Sequence, residues 1–326
     1  MKIFYSAVFD NQGVSSDNSK VRELEALGHT VVSYDYRVRG LAYGKNPNIS
    51  KDRDNEIIKF CENWRPDFII FAKCNGVDLR VFEECKKIAP LCYWFADPLI
   101  TYTNEEFYQK TKIADFFTCD KINVFEVAKN INKNSFIVND GYDRLLEYPK
   151  KLNKIYDLTF IGNLYGDRAD KVKQLKRPLK IINNAFGHLH SKAVAQSKIN
   201  LNICTSAGPS DRVFKVLGAG GFLLTDDWPA RRNFFEDGKD LVIYKDFNDL
   251  NEKIEYYLNN EIECEKIAKH GSETVKKYTR QQWAMNTVKL YHKFSVKREL
   301  PQAKENVLIA GPWVGEFGWE LFCWQG

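Results

Sequence analysis

The chain has 326 residues, of which 44% are hydrophobic, and its formal net charge is +5. This length suits two domains of ordinary size rather than one small core, and the apolar fraction excludes a disordered chain. The basic residues are spread along the whole chain, which argues against a concentrated nucleic-acid patch but suits an anionic ligand.

The sequence shows neither a membrane-targeting segment nor a disulfide framework. No apolar run approaches 18 residues, so the sequence predicts no transmembrane segment. The N-terminus, MKIFYSAVFD, is typical of a strand rather than a signal peptide. Eight cysteines are scattered without a C-x-x-C pair, which indicates reduced thiols and a cytoplasmic protein.

The first half, residues 1–150, alternates short apolar runs with helical segments, which predicts a doubly wound parallel sheet. Between two of these elements, residues 37–49 are predicted to be a long loop that either faces a substrate or is a plain surface connection. The predicted strands are 2–9, 29–34, 67–72, 91–95, 114–119 and 136–138, and the helices are 17–27, 57–64 and 79–88.

Two aspartates of this half are candidate catalytic groups because each follows a predicted strand, where open α/β sheets bind their ligands. Asp10 begins the loop after the first strand, which lacks the G-x-G-x-x-G pattern of dinucleotide sites. Asp97 follows an apolar run, so partial burial is expected to raise its pKa and suit it to accept a proton from a hydroxyl. Alternatively, Asp97 caps the turn before Pro98.

The second half, residues 151–280, follows a polar linker at 141–154 and repeats the alternation. Its central stretch, 198–229, is predicted to run from strand 199–203 through a small-residue loop into helix 210–218 and a second strand. The N-terminus of that helix falls at the carboxyl edge of the sheet, where unpaired N–H groups suit a phosphate. The other predicted strands are 156–161, 179–182, 222–225 and 240–244, and the other helices are 246–259, 261–278 and 281–294.

No metal site is expected. His188 and His190 lack a third ligand at a recognisable spacing. Asp226 and Asp227 are interpreted as residues that fix the turn before Trp228.

The sequence resembles the second half of GT-B glycosyltransferases, specifically the spore maturation protein CgeB-like group (glycosyl transferases group 1). The resemblance rests on SKINLNI at 197–203, DRVFK at 211–215 and GAGGFLLTDD at 218–227. YDLTFIGNLYGDR at 156–168 and NFFEDGKDLVIY at 233–244 extend it. The first half matches less specifically, through PDFIIF at 66–71 and YWFADP at 93–98.

This resemblance implies two Rossmann-like domains that face a cleft, with a C-terminal helix at 281–296 that crosses back to the first domain. It implies a nucleoside diphosphate sugar as donor substrate, bound by the second domain without a metal or other cofactor. The first domain would bind the acceptor, with Asp97 or Asp10 near the reacting hydroxyl. The implied donor-binding residues are Gly162, Asn163, Arg168, Ser206, Gly208, Ser210, Arg212 and Lys215.

The sequence departs from the pattern at one pair of positions. Retaining relatives carry two glutamates eight residues apart around the donor helix, and the aligned positions here are Ala207 and Lys215. A lysine cannot accept hydrogen bonds from ribose hydroxyls, although it can bind a phosphate.

The leading hypothesis is therefore a glycosyltransferase that acts on an acceptor hydroxyl of a saccharide, a protein or a modified nucleic acid. Two alternatives stay open: a non-catalytic binding or scaffold module of a larger protein, and an enzyme that glycosylates modified DNA bases. Residues 297–326, with a predicted strand at 306–310, are the start of a further unit or a tail that packs on the body.

Overall fold

The structure, a computed structural model, describes residues 1–10, 12–37, 47–97, 105–164, 166–204 and 210–295. These residues form two α/β units that follow one another along the chain. The strands are β1 (Lys2–Ala7), β2 (Thr30–Asp35), β3 (Phe68–Ala72), β4 (Leu91–Phe95), β5 (Phe116–Cys119), β6 (Ser135–Ile137), β7 (Tyr156–Ile161), β8 (Lys180–Ile182), β9 (Ser197–Asn202), β10 (Leu223–Asp226) and β11 (Val242–Tyr244). The helices are α1 (Ser16–Ala26), α2 (Pro47–Trp64), α3 (Leu79–Ile88), α4 (Glu105–Ile113), α5 (Ile122–Ile131), α6 (Arg168–Lys171), α7 (His188–Ala195), α8 (Asp211–Gly218), α9 (Phe247–Leu258), α10 (Glu261–Thr274) and α11 (Arg280–Phe294).

The strands form two parallel sheets, as the alternating pattern predicts. The first has the order β2-β1-β3-β4-β5-β6 and the second the order β11-β10-β9-β7-β8. Strands β3 and β4 are buried along their whole length, which explains their continuous apolar runs. Because all strands of a sheet point the same way, their carboxyl ends form one edge, and the side chains that follow the strands are gathered there.

The predicted loop at 37–49 is partly wrong, because α2 begins at Pro47 and residues 47–53 are helical. Proline is favoured at the first helical position, where its missing N–H has no intrahelical partner to lose. The apolar spacing that marks a helix begins only near Ile57, so the earlier turns gave no periodic signal. Residues 38–46 of the predicted loop lie outside the described residues.

The prediction of one helix over 261–278 is also corrected. Helix α10 ends at Thr274 and is followed by a 3-10 turn at Val275–Lys277.

The C-terminal helix α11 confirms the predicted crossing helix, since it packs on the first sheet and on α1. Its Trp283 is fully buried. The Trp283 ring meets the ring of Trp94 edge-on at 5.6 Å and that of Tyr5 at 6.2 Å. This aromatic contact ties the end of the second unit to the core of the first. The predicted tail at 297–326, with its strand at 306–310, lies outside the described residues.

The chain passes between the two units twice, and the two crossings are bonded to each other. Tyr142 N donates to Tyr278 O at 3.1 Å, and Arg280 N donates to Tyr142 O at 2.9 Å. Gly141 has a φ of +71°, and a Cβ added there would lie 2.5 Å from Tyr278 O. Only glycine allows this close approach without a shift of the backbone.

Among the helices of the described residues, none is both long enough and apolar enough to span a membrane.

We expect Gly141→Ala to destabilise the protein more than Gly28→Ala. Both glycines have positive φ, but nothing lies within 4 Å of a Cβ added at Gly28. Gly28→Ala should lower the free energy of unfolding by about 1 kcal/mol through backbone strain. Gly141→Ala should lower it by about 1–3 kcal/mol more, because the added methyl meets main-chain atoms. Urea unfolding of both variants measures the difference, and equal losses would show that the crossings are not tightly packed.

Candidate active site

The carboxyl edges of the two sheets approach each other across a cleft. Gly187 follows β8 of the second sheet, and a Cβ added there would lie 3.4 Å from Val14, in the loop that follows β1 of the first sheet. The same Cβ would lie 3.3 Å from Leu146 of the linker. Groups placed at the two edges can therefore act on one ligand.

Arg212, in the first turn of α8, lies across the carboxyl end of β7. Its Nε donates to Ile161 O at 2.7 Å and its Nη1 donates to Asn202 Oδ1 at 2.6 Å. Its guanidinium lies 4.1 Å from the centre of the Phe160 ring. Gly162 has a φ of +131°, and a Cβ there would lie 2.6 Å from Arg212 Nη2. The glycine thus gives the arginine room beside the strand end.

Arg168 also lies at this strand end, close to Arg212. It is the first residue of α6, and it is buried. Its Nε donates to Ile203 O at 2.8 Å, and its Nη1 donates to Asn163 O at 3.5 Å. Among the predicted donor-binding residues, the structure therefore brings together Gly162, Asn163, Arg168 and Arg212.

The two arginines are unfavourable neighbours. Burial, and after it the nearby Arg168, lower the pKa of Arg212 to about 10. Burial also lowers the pKa of Arg168. Two cations held side by side, one buried and one half-buried, are stabilised by an anion between them, and a diphosphate has the charge and the acceptors for both.

Ser210, also predicted to bind the donor, is the N-cap residue of α8 and donates from Oγ to Asn202 Oδ1 at 3.0 Å. Ser206 and Gly208 lie outside the described residues. Asn202 was not predicted. It is buried, accepts from both Ser210 and Arg212, and donates to Thr225 Oγ1 at 2.9 Å. The available signal was a polar side chain within the apolar strand SKINLNI, which requires a buried partner.

The ammonium of Lys215 is paired with carboxylates. Its Nζ is 3.2 Å from Asp211 Oδ2 and 3.7 Å from Glu147 Oε1. Burial lowers the pKa of Lys215, but these two carboxylates outweigh burial and the net pKa is raised. The lysine therefore neutralises carboxylates of the donor helix and the linker, and a phosphate contact stays a prediction.

A cluster of charges, buried except for the partly exposed Asp211, joins the donor helix to the first unit. We call Lys20, Asp140, Asp211 and Arg280 the hinge cluster. Asp140 Oδ1 lies 2.6 Å from Lys20 Nζ and 3.4 Å from Arg280 Nε. Arg280 Nη2 lies 3.7 Å from Asp211 Oδ2, at the start of α8. The four residues come from α1, the linker, α8 and α11, so no local sequence pattern predicted them.

On the edge of the first sheet, Asp97 accepts a hydrogen bond from Lys73 Nζ at 2.5 Å. The two side chains are 20% and 33% exposed, so both are partly accessible. Lys73 was not predicted, because its partner lies on the neighbouring strand.

Asp10 has a different environment. Its carboxylate accepts hydrogen bonds from the backbone N–H groups of Gln12, Val14 and Ser15. Burial raises the pKa of Asp10, but these three bonds outweigh burial and the net pKa is lowered. Asp10 thus holds the loop after β1 and is a weaker base, which makes Asp97 the better candidate.

The histidines and the acidic pair do not converge on a metal. In the part of the chain that the structure describes, no group of three His, Cys, Asp or Glu side chains can hold an ion. His190 is buried, whereas the His188 ring contacts that of Tyr148. Asp226 accepts from Cys204 N, and Asp227 accepts from Trp228 N and Arg231 Nε. Metal-independent chemistry stays a prediction.

A cavity of about 390 Å³ lies elsewhere, between the α9–α10 pair and the amino ends of β9 and β10. Lys198, Phe222 and Tyr257 line it. Since ligands of parallel sheets bind at the carboxyl ends, this cavity is not assigned to the donor.

Comparison with known proteins supports the assignment of the second half. Residues 143–289 match the family described as "Glycosyl transferase-like". The match covers less than half of the chain and lies on the predicted donor domain, while membership of the CgeB-like group stays a prediction. No curated protein sequence matches the chain.

Solved structures confirm the GT-B fold. HepE of Anabaena in complex with UDP-glucose has a TM-score of 0.67 at 10% identity, over 90% of this chain and 100% of its own. A glycosyltransferase from Rickettsia africae has a TM-score of 0.64 at 11% identity, over 91% and 99%. An alpha-glucosyltransferase in complex with UDP-glucose and DNA containing an abasic site has a TM-score of 0.62 at 8% identity, over 89% and 98%. At these identities the likeness shows the fold alone.

We expect His190 to make the protein sensitive to acid. Burial lowers its pKa from the ordinary 6.5 to about 3. The unfolded chain therefore binds a proton that the folded chain does not, and stability present above pH 6.5 is lost as the pH falls towards 3. The loss is about 1.4 kcal/mol per pH unit. His190→Gln should remove this part of the pH dependence in urea unfolding between pH 7 and pH 4, whereas His188→Gln, an exposed neighbour, should retain it. An unchanged slope in His190→Gln would contradict the assignment.

Proposed function

We propose that this protein is a glycosyltransferase that moves a sugar from a nucleoside diphosphate sugar to an acceptor hydroxyl. The observation that carries the proposal is the pair of neighbouring arginines, the buried Arg168 and the half-buried Arg212, beside Gly162 and the N-terminus of α8. A diphosphate bound there would receive hydrogen bonds from guanidinium and backbone N–H groups. These groups would also stabilise the charge that develops on the diphosphate as it departs.

The arrangement favours a metal-independent mechanism. Two neighbouring arginines and a helix N-terminus already supply positive charge where a metal ion would otherwise neutralise the leaving group. UDP-glucose is the first donor to test, because it is bound in two of the structures that share this fold. Binding measurements with a panel of nucleoside diphosphate sugars would then identify the donor, since the fold does not specify it.

The first unit would hold the acceptor, with Asp97 facing its hydroxyl. The acceptor O–H bond breaks and the proton passes to the Asp97 carboxylate. The oxygen's electron pair forms the new bond to the anomeric carbon, while the bond to the diphosphate breaks and its electrons leave on the phosphate oxygen. Approach of the two units around the linker would exclude water and limit donor hydrolysis.

Arg212→Ala should weaken donor binding by about tenfold to a hundredfold, the range expected when a charged hydrogen-bond donor is removed. Calorimetric titration with UDP-glucose and a panel of nucleoside diphosphate sugars, in EDTA, measures the effect. Arg177→Ala is the matched control, because Arg177 makes an exposed ion pair with Glu255. Arg212→Lys keeps the charge and tests whether the forked guanidinium is required.

The outcomes separate this proposal from its alternatives. Equal affinity in wild type and Arg212→Ala would exclude the arginine pair as the donor site, and binding lost in EDTA would exclude metal independence. Failure of a folded wild type to bind any donor would favour the non-catalytic module. Retention on DNA that falls steeply with salt would favour a modified DNA base as acceptor over a saccharide or protein.

A further inference from the structure

The chain leaves β3 through two consecutive left-handed residues that are not glycine. Lys73 has a φ of 59° and Cys74 a φ of 50°. Cys74 N donates to Ala72 O at 2.7 Å, so the backbone reverses within three residues. Side chains other than glycine occupy this region at a cost in strain, which persists only where the surroundings enforce it.

Buried side chains enforce this turn. Lys110, which is fully buried, donates from Nζ to Cys74 O at 2.6 Å. Arg53 Nη2 donates to Gly76 O at 2.5 Å, and Gly76 N donates to Glu106 Oε1 at 2.7 Å. Two buried cations of the first unit, Arg53 and Lys110, thus hold one short turn.

The turn places Lys73 over the carboxyl end of the next strand. Lys73 N donates to Trp94 O at 2.8 Å, and its Nζ binds Asp97 Oδ1. From the opposite side, Lys121 Nζ donates to Ala96 O at 2.5 Å and is paired with Asp120. The candidate base is therefore held through its side chain from β3 and through the preceding carbonyl from β5.

We infer that Lys73 is a positioning residue for Asp97, and this inference rests on the proposed function. The ammonium binds Oδ1, no hydrogen bond within the described residues occupies Oδ2, and Oδ2 would receive the acceptor proton. The strain accepted at Lys73 indicates that the orientation of Asp97 matters, since a misplacement of about 1 Å can cost about a hundredfold in rate.

The test uses variants that separate the ammonium from the backbone conformation. Lys73→Asn removes the charge and tolerates left-handed φ, so the thermal midpoint should be unchanged or higher. Its kcat should fall by about tenfold to a hundredfold while the KM values stay near wild type. Lys73→Arg keeps a cationic donor and should recover part of the kcat. The readout is UDP release from UDP-glucose, or from the donor that the binding panel identifies, with water and with an acceptor panel.

A second readout does not need turnover. In protein labelled with ¹³C at the aspartate carboxyl carbons, the resonance that disappears in Asp97→Asn should shift in Lys73→Asn and return towards wild type in Lys73→Arg. An unmoved resonance would overturn the inference, because the pair would then not exist in solution.

The kinetic outcomes are equally decisive. Wild-type kcat in Lys73→Asn, or a raised acceptor KM at unchanged kcat, would overturn the positioning role; the latter would assign Lys73 to acceptor binding. Wild type that binds no donor would instead refute the proposed function. Wild type that binds donor without measurable turnover leaves the carboxyl resonance to decide.

Discussion

The buried carboxylate of Asp140 is the contact on which the relation between the two units depends. It lies on the first of two chain crossings and neutralises Lys20 of α1 and Arg280 of α11. Lys20 is also held between the rings of Trp94 and Trp283, at 5.0 and 5.4 Å from their centres. Because Arg280 reaches on to Asp211 at the start of the donor helix, the same ions that join the units also orient the candidate donor site. Removing one partner would leave a buried charge uncompensated, so the cluster acts as a unit.

The two halves of the candidate site differ in how their charges are arranged. At the second sheet, Arg168 and Arg212 lie together and are bound mainly by carbonyl oxygens at the ends of β7 and β9, which leaves their charge for an anion. At the first sheet, charges of opposite sign are paired, as Lys73 is with Asp97. An unbalanced positive site suits a departing diphosphate, whereas a paired carboxylate suits proton transfer at a fixed position.

Glycine is found at two positions where the backbone lies very close to another group. Gly162 admits Arg212 and Gly141 admits the second crossing, and in each case a methyl group would meet an atom at under 3 Å. Lys73 is the opposite case. Its backbone is left-handed although it is not a glycine, and its ammonium binds Asp97 at the end of the neighbouring strand. The two glycines provide only space, whereas position 73 also provides a charge.

The sequence alone determined the two parallel sheets and the helix at Asp211–Gly218, because apolar periodicity and strand–loop–helix order are local properties of the chain. Arg168 and Arg212 were named by the resemblance to glycosyltransferases, and their role stays a prediction. The sequence also placed Asp97 at a strand end. It missed the first turns of α2, which carry no apolar period, and it missed Asn202, Lys73 and the hinge cluster. Only the tertiary structure decided these, and it also gave Lys215 two carboxylate partners. Ion pairs and buried hydrogen bonds join residues far apart in the chain, and their partners are set by how strands and units are placed in space.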